Sequence, residues 1–152
     1  MIETEQHKML EWSRGNHEAA AFISTIAKVS QDADDIADGD GNAILDVVSG
    51  LLVATSVNRF YLDNREMLSG LLFSSLIMWA ASNKFGTSEN ETTRIYGFVY
   101  REILEQIIPV ISMLCGATIH EAVAVAADVH EYYHQKMKQD TFREWEKEVS
   151  HG

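Results

Sequence analysis

Residues 16–38 read NHEAAAFISTIAKVSQDADDIAD, and their apolar members return every three or four positions. At 100° per residue Ala19, Phe22, Ile26, Val29, Ala33 and Ile36 align in one stripe, which is the period of an α-helix and not of a strand. Asn16 supplies an N-cap acceptor before the stripe, and Gly39 and Gly41 punctuate its end. The same period runs through the rest of the chain. Asn42 is positioned to cap a helix to about Asn58, and Asp63 or Asn64 one to about Lys84. Ser88-Glu89-Asn90-Glu91 and Thr118-Ile119-His120-Glu121 have the form of a capping box, in which hydroxyl and glutamate satisfy orphan N–H groups reciprocally. They open the last two long helices. Pro109 falls inside the helix from Ser88 and predicts a kink or break there, and Gly116 ends that helix.

With one proline in 152 residues and no strand candidate, the expected fold is all-α. A hydrophobic content of 46% predicts a compact single-domain bundle of about five to seven helices over residues 1–152, ending in a charged helix end from about 136 to 152. Phe142 and Trp145 are the residues of that end able to dock, and its simplest reading is a solvated helix. The net charge of −11 repels a nucleic-acid backbone, so no nucleic-acid partner is expected. The apolar stretch from Leu68 to Ala81 is shorter than the roughly 20 residues that span a bilayer, and it reads as a core helix. Met1-Ile2-Glu3-Thr4-Glu5 lacks the basic start of a signal peptide, and Cys115 lies in an apolar run as a reduced core thiol. These features predict a cytoplasmic protein.

Six aspartates lie between Lys28 and Arg59 with no Lys or Arg among them. Asp34, Asp35 and Asp38 project away from the apolar stripe within an arc of about 100°. Like charges one turn apart repel, and carboxylates at a helix C-terminus oppose its dipole. A bound Mg²⁺ or Mn²⁺ would resolve the conflict, since such ions favour hard oxygen ligands. The alternative is a plain solvated face. A calcium loop of the EF-hand kind fails on spacing: with Gly41 at the sharp turn, Ile36 and Val47 would fall at ligand positions.

His130-Glu131-Tyr132-Tyr133-His134 matches H-E-x-x-H, whose histidines can grip zinc one turn apart. A third ligand would have to come from elsewhere, with Glu144 and Glu146 the candidates in sequence. His120, Glu121, Asp128, Glu131, His134 and Lys138 share one broad face of this helix, opposite Ala122, Val125, Ala126, Val129 and Tyr133. That face either meets solvent or lines a cavity toward the aspartate helix, where Asp128, Glu131 and His134 would add ligands. In the Ser88 helix Arg94, Arg101, Glu102 and Glu105 interrupt an apolar run. Arg101 is a candidate phosphate contact, and structural ion pairing is the alternative. Trp12 and Trp79 read as core aromatics.

Asp34-Asp35-Ile36-Ala37-Asp38 has the D-D-x-x-D form and resembles the first aspartate-rich motif of isoprenoid synthases, all-helical enzymes that bind diphosphate through Mg²⁺. Asp128-Val129-His130-Glu131 is a loose counterpart of their second acidic motif. More widely, the chain resembles small uncharacterised proteins of tailed bacteriophages and mobile elements, through Trp12-Ser13-Arg14-Gly15-Asn16, the Asp-Asp-x-x-Asp-Gly-Asp segment, Asn58-Arg59-Phe60-Tyr61 and the run ending at Cys115-Gly116. These resemblances imply a reduced isoprenoid-synthase-like architecture and, for a phage protein, residence in the host bacterial cytoplasm. Helical nucleoside triphosphate pyrophosphohydrolases are an alternative enzyme class, but their paired E-x-x-E and E-x-x-D pattern is not clearly present.

The resulting expectation is a protein with a Mg²⁺ or Mn²⁺ site on Asp34, Asp35 and Asp38 that binds or hydrolyses a phosphate or diphosphate compound. The alternative is a noncatalytic accessory protein that engages a host protein and forms a homodimer through an apolar helix face.

Overall fold

The computed structural model describes residues 4–39, 41 and 43–151, so Asp40 and the expected cap Asn42 lie outside the described residues. Among the described residues there are nine α-helices and no strand. They are α1 Glu5–Trp12, α2 His17–Ala37, α3 Ala43–Leu52, α4 Arg59–Asp63, α5 Arg65–Phe85, α6 Glu91–Tyr100, α7 Ile103–Leu114, α8 Ile119–Glu131 and α9 Phe142–His151. Two π-helical turns, Val53–Val57 and Tyr132–Lys136, extend α3 and α8. The all-α reading holds. No helix among the described residues is long and apolar enough to cross a membrane.

Several helix starts follow directly from side-chain capping. Asn16 has an extended backbone and accepts from the Ala19 N–H at 3.0 Å, fixing the first turn of α2. Thr118 and Glu121 form both halves of a capping box before α8. Gly116, at φ 103°, ends the preceding helix where a side chain would be strained, and the Ala117 N–H closes onto the Ser112 carbonyl.

The helix count exceeds five to seven for local reasons. Thr4 caps α1 by accepting from the His7 N–H, a start not read in the sequence. Asn58 caps α4 through Tyr61, so a short helix precedes α5. The helix expected from Ser88 starts instead at Glu91: Ser88 Oγ accepts from the Asn90 N–H, and Asn90 is the cap, accepting from Thr93. The expected break at Pro109 is also corrected. Pro109 sits inside an uninterrupted α7, and the break falls at Arg101-Glu102, where Glu102 has ψ 71°. Gln106 Nε2 satisfies the Tyr100 carbonyl freed by that break. The C-terminal segment is a separate helix, and Trp145 is buried against Phe98 rather than solvated.

The core lies where α1, α2, α7 and α8 meet. Trp12, Phe22, Ile23, Ile107, Ile108, Ile111 and Val129 are fully buried there, each such side chain worth about 1.5–3 kcal/mol by removal from water. Trp12 packs edge-on against Tyr132. On the other side α5, α6 and α9 converge on two glycines. A Cβ on Gly97 would stand 2.9 Å from Phe85 Cβ and 3.1 Å from the Ser82 carbonyl oxygen, so α5 and α6 nearly touch. This packing turns the α6–α7 break toward the C-terminal half of α2.

Candidate functional site: an acidic cleft

The break between α6 and α7 opens a cleft of about 580 Å³, floored by α2 and bounded by residues of α1, α7 and the segment after α8. Lys28 and Asp34 reach it from α2, Arg101, Glu102 and Glu105 from the α6–α7 junction, and Tyr133 from the π-helical turn. The non-helical backbone at Glu102 lets Arg101 and Glu102 both face the cleft, and Glu105 follows one turn later on α7.

Asp34 is held from two sides. The Trp79 indole Nε1 donates to it at 3.1 Å, and an Arg101 nitrogen lies 3.7 Å away. Burial raises the Asp34 pKa above the usual carboxylate value, Arg101 and the Trp79 hydrogen bond oppose that rise, and the neighbouring Asp38 and Asp35 add to it. Arg101 also lies over the Trp145 ring at 5.4 Å, which ties the cleft to α9.

Glu102 is the most perturbed acid of the cleft. Burial and the charge of Glu105 push its pKa to about 7, with Arg101 and His130 pulling the other way. That places the carboxyl near the middle of its titration at neutral pH, held there first by burial and then by the Glu105 charge. Tyr133 donates to Glu5 Oε1 at 2.9 Å, and burial followed by the Glu5 charge keeps its phenol protonated.

Glu105 connects the cleft to two histidines. Its Oε1 lies 2.8 Å from His130 Nδ1 and 3.0 Å from His134 Nε2, and the two rings are 4.4 Å apart. Each residue offers one ligand atom, and the three atoms lie within 4.8 Å of one another. His134 Nε2 is buried and close to Glu105, yet not aligned for a hydrogen bond. A Glu–His–His donor set with one buried, unaligned nitrogen fits a divalent cation such as Mn²⁺ or Zn²⁺.

The chain matches no family model, no curated protein and no solved structure.

The sequence-predicted residues fall in different places. Asp34 lines the cleft, whereas Asp35 and Asp38 are exposed and do not line it. Asp128 lies outside it, accepting from Trp12 Nε1 at 2.7 Å and from Lys8 Nζ at 3.0 Å. Burial works to raise the Asp128 pKa, but these two hydrogen bonds and the Lys8 charge outweigh it and hold the carboxyl below its usual value. Glu131 is exposed and outside the Glu105–His130–His134 group. His134 belongs to that group, but its carboxylate partner is Glu105 and not Glu144 or Glu146. Glu146 accepts from Arg94 and Arg143 instead. Arg101, a candidate phosphate contact, pairs with Asp34 and keeps its place on the cleft wall.

Glu102 and Glu105 are what the sequence reading missed. Set in an isoleucine-rich run they looked like structural ion-pair partners. The available signal was their E-x-x-E spacing directly after Arg101.

Proposed function

We propose that this protein binds a divalent cation in the acidic cleft and, through it, a phosphate or diphosphate compound. The observation that carries the reading is the convergence of Asp34, Glu102 and Glu105 on one cleft, with Glu102 driven to about 7 by burial and by its neighbour Glu105. A cation there would relieve the carboxylate repulsion, and Arg101 would meet phosphate oxygens beside it. Oxygen donors favour Mg²⁺ or Mn²⁺, while His130 and His134 add affinity for Mn²⁺ or Zn²⁺. A bound cation would neutralise phosphate and orient or acidify an attacking water in an enzyme of this kind. The D-D-x-x-D resemblance, with its reduced isoprenoid-synthase-like architecture, belongs to this reading through Asp34, and Asp35 and Asp38 remain outer contributors.

Thermal unfolding tests it with chelator, then with millimolar Mg²⁺, Mn²⁺, Ca²⁺ or Zn²⁺, on three proteins. These are the wild type, Glu102→Gln with Glu105→Gln, and Asp34→Asn with Asp38→Asn. A metal-specific rise in melting temperature in the wild type that both double variants lose supports the reading. No rise for any metal sinks it. Phosphate release from inorganic diphosphate then separates hydrolysis from binding alone.

A second reading, an accessory protein of phage or mobile-element type that engages a host protein, is favoured by α3. Ile44, Leu45, Val48, Leu51 and Leu52 are all exposed there and only Ala43 is buried. It predicts partner binding that is lost in Leu45→Glu and unchanged in Glu102→Gln with Glu105→Gln.

A further inference from the structure

Helix α5 buries two serines in its middle and C-terminal half and leaves several large apolar residues outward. Leu68, Ser75 and Ser82, spaced seven apart, are its buried positions, while Phe73 is 67% exposed, Ile77 63% and Leu76 56%. At 100° per residue Glu66, Gly70, Phe73, Ile77, Ala80 and Lys84 fall within an arc of about 80° on the side opposite the buried three. All six are exposed. Their steps alternate between four and three, the spacing that keeps a seam facing a second helix along its length.

We infer that this seam docks a second copy of the chain, α5 against α5, antiparallel about a two-fold axis passing near Ser75. Centred there, the pairing sets Phe73 against Ile77 of the partner subunit, Gly70 against the partner's Ala80, and Glu66 against the partner's Lys84. The two charged residues of the seam stand at equal distances from its centre and carry opposite signs, so the symmetric contact closes with two ion pairs at its ends. A parallel pairing would oppose like charges, and a one-heptad slip would leave them unmatched. Gly70 and Ala80 flank the large pair and let the backbones approach.

Taking roughly 200 Å² for a large side chain fully exposed, Phe73 and Ile77 on the seam and Leu76 beside it bare on the order of 400 Å², within the range of the largest apolar patch on a lone chain. The charge symmetry of Glu66 and Lys84 about the centre of that patch is what selects a second copy as its occupant. This inference is independent of the cleft.

Sedimentation equilibrium on the full chain tests it, with circular dichroism as the control for folding. The wild type is expected at twice the 17.1 kDa chain mass and Ile77→Glu at the chain mass with unchanged helicity. Lys84→Glu should weaken the dimer about tenfold or more, and the double variant Glu66→Lys with Lys84→Glu should restore it. A wild type that stays monomeric at about 100 μM, or a dimer indifferent to Ile77→Glu, overturns the inference. A charge-swapped double variant no tighter than Lys84→Glu overturns the antiparallel register. A monomer that floats with phosphatidylcholine vesicles assigns the face to lipid and overturns the dimer.

Discussion

An Arg101 guanidinium nitrogen lies 3.7 Å from an Asp34 carboxylate oxygen, joining the α6–α7 break to the acidic end of α2. Lys28, the nearest basic residue in sequence, pairs with Asp32 on the same helix, and the fold brings Arg101 to Asp34 from a distant one. The same guanidinium rests over Trp145, so the cation that meets Asp34 also anchors α9. Arg101→Ala should therefore loosen two contacts at once and destabilise the protein by roughly 1–3 kcal/mol in urea unfolding. Arg101→Lys should recover only part of this, because an ammonium group keeps the charge and loses the planar stacking surface. Equal stability of Arg101→Ala and the wild type would contradict the arrangement.

Glu102 should make stability depend on pH. Its folded-state value, about 7, lies above the ordinary 4.5, so its contribution is complete below about pH 4.5 and disappears as pH rises through about 7. Holding the ionised carboxyl in the cleft without a cation costs up to about 3 kcal/mol. Glu102→Gln removes that cost, and its stability gain over the metal-free wild type should grow between pH 5 and pH 8. Parallel pH profiles for the two proteins would show that Glu102 ionises without strain.

Asp128 has the opposite sign. Its folded-state value is depressed, so its contribution is present above the ordinary carboxylate value and is lost as pH falls through the lowered one. Asp128→Asn should destabilise the fold by about 2–4 kcal/mol at neutral pH, because buried Lys8 loses its 3.0 Å carboxylate partner and the Trp12 indole loses a charged acceptor. Cation binding should be unaffected, since Asp128 does not line the cleft. Chemical unfolding and a metal titration on one variant preparation check both halves.

Gly97→Ala is expected to cost about 1–3 kcal/mol in the same unfolding measurement. The added methyl would meet Phe85 Cβ and the Ser82 carbonyl, and the latter, being backbone, cannot swing aside. Gly70→Ala, with open space around its Cβ, is the control and should be neutral or slightly stabilising in the isolated chain.

Much of the helical layout was legible because capping chemistry is local. Asn16 and Thr118 mark helix starts by what they offer the next three residues, and Gly116 marks an end by its left-handed backbone. The break at Arg101-Glu102 was not legible, since nothing local outranked Pro109 as a breaker there. Pro109 is accommodated inside α7, while the Arg101–Asp34 pair and the Gln106 hydrogen bond to the Tyr100 carbonyl stabilise the break eight residues earlier. Exposure was the other blind spot. The stretch from Leu68 to Ala81 reads as core, yet Phe73, Leu76 and Ile77 face outward and Ser75 inward, because small residues are needed where α5 meets α6 and α7.

The site was legible in part. Helical geometry separates Asp34, Asp35 and Asp38 from the apolar stripe, but it does not say that Trp79 and Arg101 cover Asp34 and leave the other two in solvent. The H-E-x-x-H pattern points to His130 and His134, and their third partner, Glu105, comes from a helix whose approach no spacing rule gives.

The most direct test of the cleft as a cation site is a calorimetric Mn²⁺ titration at pH 7, repeated in two buffers of different ionisation heat. The account predicts saturable binding with proton release from Glu102, tightened by inorganic diphosphate and abolished in Glu102→Gln with Glu105→Gln. Binding that survives in that double variant, or no binding heat from the wild type in either buffer, would contradict it.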